Sequence, residues 1–441
     1  MEAEYTISDA LRIRRQMSDY RDSIYIGLIR QLNSQCIDIL KDNLGNEFVI
    51  NCSRDIAGEV VRNCFQTSDY YITVDQLATR ILSFNYENDY DPLADSTSHE
   101  QIRKNVLNYN ELKSSRLDQI TSTIDNATKN SALFNNDRVN DKLDIRGKKD
   151  YRKSQEDANG DVYDELTGKK GTKSKIIKNG KEEEKSNLQA DHIQAREAAR
   201  YNSRYITNNG KKELQQFWNS SDNMQMIHAS ANASKGDIRV CEIDGKIQYV
   251  NARSKEYDPD TDITYKATPE QQADAICAQW EAVDEGREEK TKNKIQTLKD
   301  NGYLNEDGKV PKSVRKKLIQ TIRHSQNEES KVILKNMNYG KVSKDSLDLT
   351  KSSIGKIIAG QIIYYAAPPL VFEIRTIIEK KEDQDLDKVI NKIEKSGKRI
   401  CKYVYEHIKD IFTNVAENIL KNFIKSFMDI LINVVKATIK K

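Results

Sequence analysis

Apolar residues recur at helical spacing along most of the chain and at strand-like spacing only in a short central stretch. Ile24, Leu28, Leu32, Cys36 and Leu40 fall every fourth position, and Ile29 and Ile39 widen the same face, so residues 1–140 read as a helical N-terminal region. Within it, Ser8-Asp9 suits a helix start, and Thr73 with Gln76 three residues on has the form of a capping box. Stretches 85–98 and 126–140, rich in Asn, Asp and Ser, read as loops or helix ends. Residues 141–187 form a charged segment with Asn159-Gly160 and Asn179-Gly180 turn signals. The second separates Ser174–Lys178 from Lys181–Glu184, which predicts an exposed antiparallel arm in preference to an unstructured linker.

Residues 188–257 change period. A strand ends at Asp191-His192-Ile193, a polar helical stretch is expected over Ala195–Tyr205, and a second strand covers Met224–His228. A short helix is expected near Ala231-Asn232, and Ile238–Ile243 and Lys246–Val250 flank Asp244-Gly245 as a hairpin. Residues 258–352 are charged and helical, opened by Thr268-Pro269-Glu270-Gln271 with its cap and first-turn proline. Residues 353–441 form a helical C-terminal region. Its apolar stripe runs through Val389, Ile393, Ile400, Val404, Ile408, Ile411, Val415, Ile419, Ile424, Phe427 and Ile430, a face for packing or for a partner helix. The pattern predicts an α+β, predominantly α-helical protein.

Composition narrows the function. Lys plus Arg total 71 and Asp plus Glu 68, a net charge of +3, so any nucleic-acid surface must be a local patch. Six cysteines without a Cys-x-x-Cys pair exclude a zinc ribbon and favour a reducing, cytoplasmic setting. The N-terminus has no apolar run of the secretory kind. Residues 357–372 are apolar and uncharged but shorter than the roughly 20 residues that a spanning helix needs. That run carries Gln361 and is broken by Pro368-Pro369, so a buried helix and turn are expected and membrane insertion is not.

Chemistry concentrates in the central stretch. His192 suits proton removal near neutrality, and Asp191 offers a hard oxygen for Mg²⁺. Successive strand residues face opposite ways, so the two serve one phosphate only where the strand ends. Asn232 offers a neutral oxygen, and Asn223, at the head of the second strand, can tie down the loop after His192. The ordered set Asp-His-Ile, then Asn-x-Gln-x-x-His-x-x-x-Asn-x-x-Lys-Gly, resembles the HNH endonucleases, the ββα-metal finger family.

The resemblance covers about 50 residues and implies a central ββα-metal HNH module between helical N- and C-terminal regions. It implies His192 as general base, Asp191 and Asn232 as ligands of Mg²⁺ or Mn²⁺, and Asn223 as the loop brace. His228 falls where relatives carry His or a zinc-ribbon Cys, and Ala231 where many carry Cys. No structural zinc is therefore expected, and His228 could touch phosphate, assist the metal or only pack. Lys235 is placed near phosphate, and Gly236 permits a tight helix exit.

The implied activity is metal-dependent hydrolysis of DNA, with RNA as the alternative substrate. HNH modules serve mobile elements, restriction and bacterial antiphage defence, where large helical flanks suit control of a nuclease. Lys312, Arg315, Lys316, Lys317 and Arg323 form a basic helix face, either solvated or a phosphate-contacting surface. Tyr70-Tyr71 and Tyr364-Tyr365 could stack bases, with packing the default. His99, His324 and His407 read as structural or solvated. No Walker-type loop or dinucleotide fingerprint is present. The competing class is a helical interaction or membrane-acting protein with a vestigial HNH motif, partnered or oligomeric through its C-terminal helices.

Overall fold

The computed structural model describes residues 45–62, 72–94, 114–129, 137–138, 147–178, 181–194, 200–201, 203–236, 238–243, 246–251, 265–282, 288–349, 353–379, 386–413 and 415–440. The expected helix over Ile24–Leu40, the start at Ser8-Asp9, Tyr70-Tyr71 and His99 lie outside them. The described residues are predominantly helical with a small β content, an α+β architecture. They fall in two compact units interleaved along the chain. One draws on Met1–Thr123, Tyr339–Arg375 and Ile400–Lys425, the other on Ile124–Asn338, Thr376–Arg399 and Ser426–Lys441.

In the first unit, helices α1 (Gly45–Val60) and α2 (Val74–Ser83) precede a turn over residues 84–94. The expected capping box opens α2: Gln76 N donates to Thr73 Oγ1 at 3.1 Å and Thr73 N to Gln76 Oε1 at 2.9 Å. Helix α3 (Ser114–Lys129) passes from the first unit into the second at Ile124, and residues 126–129 are its end, one of the two readings of that stretch.

Arg80 of α2 is wholly buried. Its guanidinium meets Asp89 at 3.0 Å, Asp91 at 3.6 Å and the Tyr403 hydroxyl at 3.1 Å, and lies over the rings of Tyr364 and Tyr365. Those two tyrosines are therefore core residues, edge to face at 4.9 Å, and not a base-stacking platform. The long helix that carries them runs Ser353–Ile378 without a break at Pro368-Pro369, contrary to the turn expected there. Proline removes an N–H from the helical ladder, leaving the carbonyl four residues earlier without its donor. Tyr364 is that residue for Pro368, and Arg80 Nη1 donates to its carbonyl oxygen at 3.4 Å. Burial of the surrounding turns keeps the helix continuous.

The second unit carries the strands. β1 (Asp137–Arg138) pairs with β5 (Arg200–Tyr201). β2 (Lys173–Lys178) and β3 (Lys181–Ser186) form the expected hairpin, in which Ile177 is 82% exposed. β4 (Leu188–His192) pairs with β6 (Met224–His228), and β7 (Ile238–Ile243) lies between β8 (Lys246–Asn251) and β9 (Tyr265–Lys266). The β7–β8 hairpin matches the Asp244-Gly245 signal, whose turn residues lie outside the described set.

Helices of this unit are α4 (Gly147–Ser154), α5 (Asn208–Trp218), α6 (Ala229–Lys235), α7 (Pro269–Glu281), α8 (Glu288–Asp300) and α9 (Lys312–Lys335). The helix expected over Ala195–Tyr205 is not formed in its described part: Arg200–Tyr201 is strand and Ser203–Tyr205 a single 3-10 turn. A tertiary zipper takes this segment, with Thr207 N donating to Asn336 O and Asn338 N to Tyr205 O. Thr207 then caps α5 through Gly210 N. The remaining helices are α10 (Tyr339–Asp348), α11 (Ser353–Ile378), α12 (Leu386–Ile408) and α13 (Glu417–Lys440). The expected C-terminal stripe is buried, with Ile419 half-buried. Among the described residues no helix is long and apolar enough to cross a membrane.

Replacing Arg80 with Leu should destabilise the first unit by about 3–5 kcal/mol, because two carboxylates lose their buried counter-charge. Adding Pro368→Ala should recover part of the loss by returning an N–H to Tyr364 O. Amide exchange in α2 and α11 reads both effects. Unchanged protection in Arg80→Leu would show that the cluster is dispensable.

Candidate functional site

β4 and β6 pair antiparallel, with Leu188 opposite His228, Ala190 opposite Met226, Asp191 opposite Gln225 and His192 opposite Met224. Alternation gives the pair two faces. Leu188, Ala190, Met224 and Met226 pack with Tyr151 and Val162. Ile227, with Ile193 just past the end of β4, joins the larger core of Ala231, Trp280, Leu318 and Ile322. By this alternation Asp191 faces α6 and the imidazole of His192 faces the α4 side. The strand ends at His192, as the sequence indicated.

The length of α6 sets the geometry. Seven residues of helix rise roughly 10 Å, and three strand residues cover about the same distance. The helix starts directly after His228 and comes back along the ladder, so its last residue draws level with Asp191. Lys235 Nζ lies 2.5 Å from Asp191 Oδ2 and 2.5 Å from the His192 carbonyl oxygen. Gln225 Nε2 donates to the same Asp191 Oδ2 at 3.1 Å. Lys235 is 2% exposed and Asp191 6%, so this ion pair is shielded from water. One helical turn earlier, half-buried Asn232 donates through Nδ2 to Gln189 Oε1 at 3.2 Å. Gln189 is exposed, so the Asn232 end of the face opens to solvent. Gly236 ends the helix at φ +57°, a conformation that suits glycine, with its N–H on Asn232 O.

Asn223 is fully buried, and its placement matches the brace expected of it. Its Oδ1 accepts from Gln194 N at 2.9 Å and from Ser325 Oγ at 2.9 Å, while its carbonyl accepts from Ile193 N at 2.8 Å. The chain leaving His192 is thus tied to the head of β6 and, through Ser325, to α9. His228 sits at the other end of the ladder, opposite Leu188, and caps α6: its Nδ1 accepts from Ser230 N at 3.2 Å. Of the uses the sequence left open, packing is the one the geometry displays, and capping is a role the sequence did not suggest. Burial lowers the His228 pKa, with Asp164 opposing.

Several supports gave no signal in the sequence. Asp164, almost fully buried, accepts at Oδ1 from Leu166 N and Thr167 N, and at Oδ2 from His228 N and the Tyr303 hydroxyl. Glu165 extends the contact along β6, accepting from Met226 N at 2.8 Å and from the Tyr151 hydroxyl at 2.6 Å. Burial raises the Glu165 pKa, and those two hydrogen bonds act against it. Trp280 of α7 donates its indole N–H to Ala231 O at 3.0 Å. Gly171 lies so close to Leu188 that an added Cβ would fall 2.7 Å from its Cδ1, so a larger residue there would push Leu188 aside.

On the basic face, Arg315 pairs with Asp274 at 2.6 Å and Arg323 with Glu270 at 2.5 Å. Lys317 reaches the Glu165 carbonyl, and Lys312 and Lys316 remain exposed. The face is therefore partly neutralised by its own protein. Lys235 does not share that surface, being turned inward on Asp191.

Asp191 Oδ1 and Asn232 Oδ1 stand outside the bonds described, and both are hard oxygens of the type that Mg²⁺ takes. That the Asp191 carboxylate already accommodates an ammonium shows that a cation fits its surroundings. Among the described residues no three His, Cys, Asp or Glu side chains gather as a metal-holding group. No family model, curated protein or solved structure matches the chain.

The capping role of His228 predicts a pH effect. Its Nδ1 must be unprotonated to accept from Ser230, and its folded pKa is below the ordinary histidine value of about 6.5. The unfolded chain therefore binds the proton first, and stability is complete above that value and falls as pH drops through the folded pKa. His228→Asn, which keeps an acceptor at the cap, should remove this slope from a plot of melting temperature against pH over the range 7 to 5. An identical slope in the variant would assign the effect elsewhere.

Proposed function

We propose that the β4–β6–α6 site is an HNH-type endonuclease centre that hydrolyses DNA phosphodiester bonds with the help of Mg²⁺ or Mn²⁺. What supports this reading is the return of α6 over the ladder, which brings Asn232 and Lys235 onto the Asp191 face while Asn223 pins the chain beyond His192.

His192 is the general base of this reading; its buried imidazole lies on the face of β4 opposite Asp191, so it takes a proton from the attacking water only once its side chain turns past the strand end. Asn223 holds the turn after His192 and so fixes where the imidazole is presented. Asp191 and Asn232 would hold the cation, which when bound supplies charge neutralisation at the leaving 3′ oxygen. Gln225 and Gln189 orient those two side chains through their amides. Exposed Lys312 and Lys316 are the groups of the basic face left for backbone phosphate, with Arg315 committed to Asp274 until nucleic acid displaces it. The setting that suits this chemistry is a cytoplasmic effector of antiphage defence or of a mobile element, by analogy alone.

A plasmid-nicking assay tests the proposal. The full chain should convert supercoiled to open-circular DNA with Mg²⁺ and stop with chelator, and His192→Ala should cut about 10³-fold more slowly, the scale of general-base catalysis. Chelator-resistant cutting that survives in His192→Ala would falsify the assignment. No cutting of DNA or RNA by a folded chain would leave the helical interaction protein as the better reading.

A further inference from the structure

We propose that Lys235 is a resident cation in the metal seat, and that a divalent ion binds Asp191 only by displacing it. This deepens the hydrolase reading and rests on it for the identity of the site.

The ammonium has two partners that a cation would also seek: the Asp191 carboxylate and the His192 carbonyl oxygen, each at 2.5 Å. Both are oxygens at the end of one strand, presented to the last turn of one helix. A carboxylate this buried needs a counter-charge, and Lys235 provides it. A divalent ion on the remaining Asp191 oxygen would share one carboxylate with the ammonium, where the like charges repel strongly at the low effective dielectric of a buried site. Both cannot hold the carboxylate at full strength, so lysine and metal compete.

The lysine is also the group that can leave. Its charge sits at the tip of a flexible four-carbon stem, and its helix ends at once in Gly236, whose exposed backbone makes that turn adaptable. The approach for an incoming ion is the Asn232–Gln189 side, which is half-buried to exposed, while the Lys235 side is closed. Without an ion, the site keeps itself neutral; with one, the ammonium is released. The resting site therefore binds metal weakly.

Mn²⁺ titration of the full chain without nucleic acid, following free Mn²⁺ by electron paramagnetic resonance, reads the competition directly. Lys235→Met should bind one Mn²⁺ at least tenfold more tightly than the wild type, and Lys235→Met with Asp191→Asn should lose that gain. Equal affinities, or no binding by either protein, would overturn the proposal and leave a structural ion pair. Should Lys235→Met fail to fold, reductive methylation of the wild type followed by mass spectrometry takes its place. Lys235 should be modified several-fold faster in excess Mg²⁺ than in chelator, and an unchanged rate overturns the proposal. The two readings separate cleanly. Chelator-sensitive, His192-dependent nicking without a gain in Mn²⁺ affinity defeats the lysine proposal alone. The gain in affinity without nicking upholds it and defeats the hydrolase.

Discussion

A carboxylate that is 6% exposed has to be neutralised where it stands, and the second unit is arranged around that requirement at Asp191. The counter-charge arrives from Lys235 at the far end of α6, so the helix must begin at a fixed distance along the ladder and end at a fixed length. His228 fixes the start as the cap, and Gly236 fixes the end. One residue more or fewer in α6 would rotate Lys235 about 100° around the helix axis, away from the sheet. The same ammonium holds the His192 carbonyl, so it also fixes the strand terminus from which the imidazole is presented.

A seven-residue helix has little stability of its own. Its position is set from outside the strand–strand–helix unit. Asp164 and Tyr303 hold the His228 amide at its start, Trp280 holds the Ala231 carbonyl in its first turn, and Ser325 on α9 buttresses Asn223 and the loop after His192. These come from the charged segment before the strands and the charged helices after them. The compact unit thus takes in the flanks, and its larger core joins Ile193, Ile227 and Ala231 to Trp280, Leu318 and Ile322. Variation at Trp280 or Asp164 therefore acts on the site without touching it.

What the sequence disclosed divides along the range of the interactions. Both capping boxes, at Thr73 and Thr268, and both hairpins were legible because their partners lie within a few residues and the side-chain chemistry is specific. The strand end at His192, the Asn223 brace and the Gly236 exit were legible from ordered spacing. Asp164 was not, because its partners His228 and Tyr303 are 64 and 139 positions away, and nothing local marks an Asp in a charged stretch as buried. In the described part of Ala195–Tyr205 the expected helix gave way for a related reason: local propensity yielded to tertiary pairing, in which Tyr205 meets Asn338. Pro368-Pro369 read as a break because the donor that replaces the missing N–H comes from Arg80, 284 positions before its acceptor Tyr364.

Arg80 and Lys235 answer one physical problem in two ways. Each is a buried cation that satisfies a carboxylate together with a main-chain carbonyl of another element: Tyr364 O in the proline-containing helix, His192 O at the strand end. Guanidinium is planar, always charged and able to hold several acceptors in a fixed fork, and Arg80 spends that capacity on Asp89, Tyr403 and Tyr364 while stacking on two rings. Such a group cannot be withdrawn piecemeal, which suits a permanent clamp in the core. Ammonium is a point charge on a flexible stem, here with two close partners. The lysine at the end of α6 meets one carboxylate and one carbonyl, and the arginine in α2 meets several acceptors and two rings, which matches what each head group can hold.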